Sequence, residues 1–316
     1  MKSNTPGIVL LCCLPFAAQA NVDIVFDYTY DNGFLSGANA GRRALLDAAA
    51  EVYEYRLQDS LTPIVSGGGN SADFAFLNPN TPVDALPEWI YGASIGANEI
   101  RIYVSGSHDL NSGIGYIRGD NGSILGTASL GSTFATGTGS YVENALSRGQ
   151  AGALGPNASQ TDWGGWGGSI SFDALADWYF DSDPSTPESH AGYDFYSVAL
   201  HEIGHILGFG KAPSYFNLVS GGTFNGAAVT ALTGTPQPVN GADTAHWQNG
   251  LLFAGQLNAM NPVIAPGQRL AVTELDFAAL DDLGWEVSAV PEASHAAMLL
   301  SGLALLGWRL RSQRRT

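Results

Sequence analysis

Cysteine is almost missing from this sequence. The 316-residue chain has two, Cys12 and Cys13, adjacent in an apolar stretch near the N-terminus, and none after them. The body of the chain therefore has no disulfide, and no thiolate to act as nucleophile or metal ligand. Charge is also sparse, at 13%, and it is one-sided. Between residues 21 and 288 there are 8 basic residues against 28 acidic ones. A surface this acidic repels phosphate, which excludes nucleic acid as a partner. Long hydrophobic runs are lacking too. The apolar stretches at the two ends, residues 8–16 and 296–308, are both shorter than the roughly 20 residues a spanning helix needs. No repeat of fixed period appears, which excludes solenoid arrays. What is present is 10% aromatic residues, 45% hydrophobic residues and 40 glycines. Disordered acidic chains lack aromatics and carry dense charge. The composition instead points to a folded, loop-rich body, long enough for one large domain or two lobes.

The two ends carry addressing patterns. Residues 1–20 read as a secretory signal peptide: Lys2 supplies the positive start, residues 8–16 the short apolar core, and Ala18-Gln19-Ala20 the small-x-small cleavage pattern. A lipoprotein signal using Cys12 or Cys13 is the alternative, and Leu11 before the pair does not suit it. At the other end, Val290-Pro291-Glu292-Ala293 precedes an apolar run, followed by Arg309, Arg311, Arg314 and Arg315. Basic residues after an apolar helix hold that end on the cytoplasmic side. This tail, residues 289–316, resembles the PEP-CTERM sorting signal of exopolysaccharide-producing Gram-negative bacteria, with Ala293 where the motif has its second proline. The resemblance implies processing by an exosortase-type membrane enzyme and transient membrane association. It also implies a destination at the cell surface or in the extracellular matrix. A simple C-terminal membrane anchor is the plainer alternative.

Between the ends the pattern is mixed. Residues 22–30 and 99–104 alternate as strands, and residues 40–58 repeat apolar positions at helical spacing. Residues 111–170 are rich in Gly, Ser, Ala and Asn with little periodicity, and read as long loops with short strands. Ser169 to Phe172 reads as a further strand. Asp173, Asp177, Asp181 and Asp183 follow it, and such acids can hold a structural Ca2+ through carboxylate oxygens. They lack EF-hand spacing, and a solvated acidic loop accounts for them equally.

Residues 193–209 carry the chemistry. Asp194 or Ser197 can cap a helix whose Val198, Ala199, Ile203, Ile206 and Leu207 turn inward. Within it, residues 201–205 read His-Glu-Ile-Gly-His. His201 and His205, four apart, share one face and can converge on one tetrahedral ion, Zn2+ above all. Glu202, rotated about 100° from His201, flanks the ion and can take a proton from the attacking water and pass it to a leaving amine. Gly204 costs roughly 1 kcal/mol in mid-helix, which suggests another segment packed closely there. Gly208 and Gly210 let the chain leave the helix sharply. The competing reading, a buried structural helix with incidental histidines, explains neither the spacing nor the capped, glycine-terminated context.

The segment resembles the metzincin clan of zinc peptidases, whose pattern is HExxHxxGxxH. His201, Glu202, His205 and Gly208 match it; the last position is Lys211, a cation that would repel zinc. Some metzincins, the leishmanolysin-like ones, carry an insertion before the third histidine. By that resemblance residues 211–245 are the insertion and His246 is the third ligand, with Asp243 and Glu274 as rivals. Met260, in Ala259-Met260-Asn261-Pro262, matches the clan's methionine turn beneath the zinc, and residues 273–285 match its terminal helix, which Thr273 can cap. His108 and His190 stand isolated.

The resemblance implies an α+β fold: a mixed-sheet N-terminal lobe (about 21–210) carrying the zinc helix, and a smaller, irregular C-terminal lobe (about 211–288) ending in a helix. It implies a secreted zinc endopeptidase acting on proteins or peptides, with Glu202 as general base and His201, His205 and His246 as ligands. The alternative from another class is a catalytically inactive surface or matrix-associated binding protein that retains a zinc site.

Overall fold

The structure, a computed structural model, describes residues 21–83, 86–110, 116–186 and 188–289. The signal-peptide pattern of residues 1–20 and the sorting pattern from Val290 onward lie outside the described residues. Among those described, no helix is long and apolar enough to cross a membrane.

The architecture is α+β and its main sheet is mixed. Six strands run in the order Asp23–Asp27, Glu99–Ser107, Gly167–Asp173, Ile124–Leu130, Tyr116–Gly119, Val263–Ile264. The first three are mutually parallel; Ile124–Leu130 runs antiparallel between Gly167–Asp173 and Tyr116–Gly119. Val263–Ile264 then joins parallel to Tyr116–Gly119, so a late segment of the chain completes the sheet. The stretch from 111 to 170 thus supplies three strands of this sheet in whole or part, the strand Ser132–Thr136 of another, and the helix α2 (Gly139–Ser147), where the sequence suggested long loops with short strands. The reason is burial on both faces. Gly167–Asp173 is inaccessible over its first six residues, and a strand buried on both faces need not alternate. Glycines at 167 and 168 are required there: a Cβ would fall 1.8 Å from Arg101 O and 2.0 Å from Ser129 O, respectively.

The helix α1 (Arg43–Glu54) follows a 3-10 turn over Gly37–Arg42, so the helical pattern of residues 40–58 is narrower than its periodicity suggests. It buries Leu45, Leu46, Ala49, Ala50 and Tyr53. Tyr53 reaches across to the helix α3 (Phe195–Ile206) and donates its hydroxyl to Leu200 O at 2.8 Å. Except for the partly exposed Tyr196, α3 is buried along its whole length, with one side against the strand Ile124–Leu130 and another against α1. A second, smaller core forms where the sheet of Glu88–Ile90, Ser71–Phe76 and Ser132–Thr136 packs around Trp166, which stacks on Phe74 at 4.5 Å.

After residue 210 the chain forms short elements: α4 (Pro213–Leu218), a small three-stranded sheet, α5 (Ala227–Thr233) and, near the end, α6 (Glu274–Asp282). Thr273 and Asp276 form a capping box on α6. At the other end of α6, the Asp282 carboxylate accepts from Ala228 and Val229 N–H at 2.7 and 2.9 Å, satisfying the N-terminus of α5.

Candidate metal centre

The site is built on α3. Asp194 caps it, accepting from Ser197 N–H at 3.3 Å and from the Ser197 hydroxyl at 2.6 Å. Arg269 fixes that cap in turn, donating to both Asp194 oxygens and pairing with the buried Asp181 carboxylate at 2.5 Å. Asp181 therefore serves an ion pair. Asp173 accepts from Leu175 N–H, and Asp183 from Ser185. Three of the four acids of the suggested calcium loop thus have internal partners.

His201 and His205 lie on one face of α3, as four-residue spacing dictates, and the chain folds back to bring His246 onto them. The Nε2 atoms of His201 and His205 each stand 3.1 Å from His246 Nε2. A tetrahedral ion with bonds of ~2.1 Å spaces its ligand atoms by ~3.4 Å, so the three nitrogens outline one face of such a shell. Among the described residues this is the one cluster of three or more metal-ligating side chains.

Each ring is aimed by its other nitrogen. His201 Nδ1–H donates to Ala259 O at 2.7 Å, His205 Nδ1–H to Phe209 O at 2.7 Å, and His246 Nδ1–H to Asp243 Oδ2 at 3.0 Å. With Nδ1 protonated, the Nε2 lone pairs face one another; this is the outer-shell arrangement that orients metal-binding histidines. Burial, and then the neighbouring ring and Lys211, push His201 well below the usual histidine range, and the same influences act on His205. Both imidazoles are neutral, which is the ligand form. The donor set therefore fits zinc.

Glu202 is fully buried beside them. Its Oε1 lies 3.4 Å from Ile117 N–H, across Gly126, where a Cβ would fall 2.9 Å from that oxygen. Its Oε2 has no hydrogen-bond partner. A buried carboxylate oxygen without a partner among the described residues, next to three converging imidazoles, is free to accept a hydrogen bond there. Burial pushes the Glu202 carboxyl up from the usual range, while Lys211 and the Ile117 and Ala128 amides pull it back.

The rival ligands have other duties. Asp243 holds His246 in place, and Glu274 is paired with Arg56 at 2.7 Å. His190 stacks on the Tyr179 ring and His108 is exposed; neither joins the cluster. Met260 lies under α3 with its sulfur 2.5 Å from where a Gly204 Cβ would be, so the close neighbour suggested by that glycine is the methionine turn itself. Asn261 N–H closes the turn onto Asn258 O at 3.1 Å.

Sequence reasoning missed several supports. Asp276 accepts from Trp247 Nε1 at 2.9 Å and from Ala259 N–H at 3.2 Å, so one capping residue of α6 steadies the neighbours of two ligands. Its place as the acid of a Thr-x-x-Asp box was visible in the sequence; its reach was not. The amides of Ile117 and Ala128 left no sequence signal, because any residue type supplies a backbone N–H.

Residues 132–215 match the matrixin family of peptidases, which belongs to the metzincin clan. No curated protein and no solved structure gave a match. The matched stretch covers a little over a quarter of the chain and includes His201, Glu202 and His205, but ends before His246. With the mixed sheet, the helix across it and the cluster of three histidines, the chain has a metzincin-like fold, and its residues 132–215 are similar to the matrixin peptidases.

Proposed function

We propose that the protein is a zinc endopeptidase that cleaves peptide bonds with Glu202 as general base. The observation that carries this reading is the pairing of three buried, converging imidazole nitrogens with a carboxylate oxygen that has no partner among the described residues. Zinc held by His201, His205 and His246 would supply a Lewis acid that polarises a carbonyl and acidifies water. The chain does the rest. Ala259 O, Phe209 O and Asp243 keep the three rings in one tautomer. The buried site excludes bulk water, so charges inside it act at full strength. Glu202 Oε2 takes the proton of the attacking water and delivers it to the leaving amine.

The test is hydrolysis of casein or a quenched peptide with and without a chelator, in wild type and Glu202→Gln. Removing a general base costs about 10²–10⁴-fold in kcat, while zinc content should stay at one per chain. Full activity in Glu202→Gln would overturn this role.

The complete burial of Glu202 and all three histidines favours one alternative. A surface or matrix-associated binding protein could keep a zinc site without hydrolysing anything. Stoichiometric zinc with no chelator-sensitive hydrolysis would select it. For localisation, the patterns of residues 1–20 and 289–316 support export and display at a Gram-negative cell surface or matrix, with an exosortase-type enzyme acting on the tail. Retention of the protein in the cytoplasm after tail and signal are left intact would contradict that.

A further inference from the structure

Lys211 stands where the compact metzincin pattern has its last histidine, yet it is not expelled from the centre. Gly208 and Gly210 take positive φ, of 101° and 64°, and the chain turns tightly after α3, with Lys211 N–H bonded to Gly208 O at 3.0 Å. The side chain then runs inward, and its ammonium donates to Ala128 O at 2.8 Å, on the strand Ile124–Leu130. The Ala128 N–H in turn stabilises the Glu202 carboxylate. Both polar backbone groups of one strand residue are thus engaged by the metal helix and its exit turn. The Glu202 and Asp243 charges favour the ammonium form of Lys211 against its burial, and Asp243 is the acceptor that holds His246.

We propose that Lys211 is a positioning residue of the peptidase reaction: a charged strut that fixes the strand at Ala128 against α3 and so keeps Glu202 in place, with its Oε2 free for the proton transfer. The geometry supports a strut over a ligand on two counts. An ammonium has three donors and no lone pair to offer a cation, and its hydrogen bond is already directed at the strand. A charge-assisted bond to a carbonyl, part-buried as here, is among the stronger ones available, and it ties the exit turn of α3 to the strand whose Ala128 amide stabilises Glu202. The strut holds the strand; the Ile117 and Ala128 amides hold the carboxylate itself.

This inference rests on the peptidase reading, so its test has one arm that needs no hydrolysis. Lys211→Met keeps the length and apolar stem and removes the ammonium; Lys211→Arg restores a cationic donor. In the first arm, amide hydrogen exchange is followed over residues 124–130 in the zinc-loaded protein. Loss of the strut should speed exchange at Ala128 about tenfold or more in Lys211→Met, with part of the protection regained in Lys211→Arg. In the second arm, kcat should fall about tenfold or more with KM within about twofold, while zinc stays at one per chain. A merely structural lysine would lower thermal stability and leave the ratio of kcat to KM effects unskewed. Unchanged exchange at Ala128 overturns the strut whether or not the protein is a peptidase. Faster exchange with unchanged kcat overturns the positioning role alone. Loss of zinc in Lys211→Met shows that Lys211 supports the histidine cage rather than Glu202 and also overturns the proposal. If Lys211→Met does not fold, Lys211→Gln, which keeps an uncharged donor for Ala128 O, carries the same comparison: exchange and kcat both shifted toward loss support the strut, and both unchanged refute a need for its charge.

Discussion

The contact between Asp243 and His246 allows a sharp test of which residues hold the ion. Asp243 Oδ2 lies 3.0 Å from His246 Nδ1, and the carboxylate side chain is 18% exposed. Burial alone would raise its carboxyl, but the His246 ring and the Ala245 N–H outweigh that and hold it below the usual range. It is therefore an anion at neutral pH, orienting the ring and making Nε2 a better donor. Asp243→Asn keeps the shape and an acceptor oxygen but loses the charge. Losing such an outer-shell partner costs about 10–100-fold in metal affinity, which corresponds to ~1.4–2.7 kcal/mol. His246→Ala removes a ligand outright and should cost far more. Both are read by competition with a chromophoric zinc chelator near pH 7.5, at low and high salt. Because the contact is mostly buried, the Asp243→Asn loss should change little with ionic strength. If Asp243→Asn loses zinc as completely as His246→Ala, Asp243 is itself a ligand and the three-histidine assignment fails. If it binds zinc like wild type, the contact does not tune the metal.

Two further expectations concern the surroundings. Gly204→Ala gains about 1 kcal/mol of helix propensity but sets a Cβ 2.5 Å from Met260 Sδ and 3.1 Å from Tyr53 Oη; overpacking costs about 1–3 kcal/mol, so thermal melting should show a lower Tm and zinc titration a weaker site, and a raised Tm would show that Met260 simply moves aside. The second concerns Asp59. Its carboxyl is pushed up to about 7, chiefly by burial and then by the nearby Glu286 and Asp162 charges. An unfolded aspartate titrates near ~3.9, so the folded protein binds this proton more tightly, and stability falls as pH rises from about 4 to about 7. Asp59→Asn should match wild type near pH 4 and melt a few degrees higher at pH 8; an equal offset at both pH values would count against the assignment.

Part of this was readable in the sequence. The helix carrying His201 and His205 announces itself through spacing, cap and exit glycines, and α3 spans Phe195–Ile206 within the predicted 193–209. Strands that alternate, such as Asp23–Asp27, were visible, as was the cap at Thr273. In the stretch from 111 to 170 the short strands were expected only in general terms, with Ser169–Phe172 alone placed, because the region is rich in small residues and gives little periodic signal. Residues 211–245 also hid two helices, of six and seven residues, too short for a periodic signal. His246 became a candidate through a family likeness and a shortage of other histidines. Only the folded chain brings it to 3.1 Å from both partners. Lys211 read as an obstacle because sequence shows its charge and not the direction of its stem; the structure turns it onto Ala128 O.

The partners of α3 also bear on the order in which the molecule is made. Its cap is held by Arg269, its Ser197 hydroxyl accepts from Leu270 N–H at 2.8 Å, His201 is aimed by Ala259, and Leu207 O at its far end accepts from Trp285 Nε1 at 2.7 Å. Every one of these anchors is drawn from the last described stretch of the chain, and His246 comes late as well. A nascent or truncated chain ending before residue 246 keeps the contacts of α3 with α1 and the strand Ile124–Leu130, but owns two of the three imidazoles and none of these late anchors. Any ion held by all three imidazoles is therefore bound only after residue 246 has been made, whichever compartment the chain then occupies.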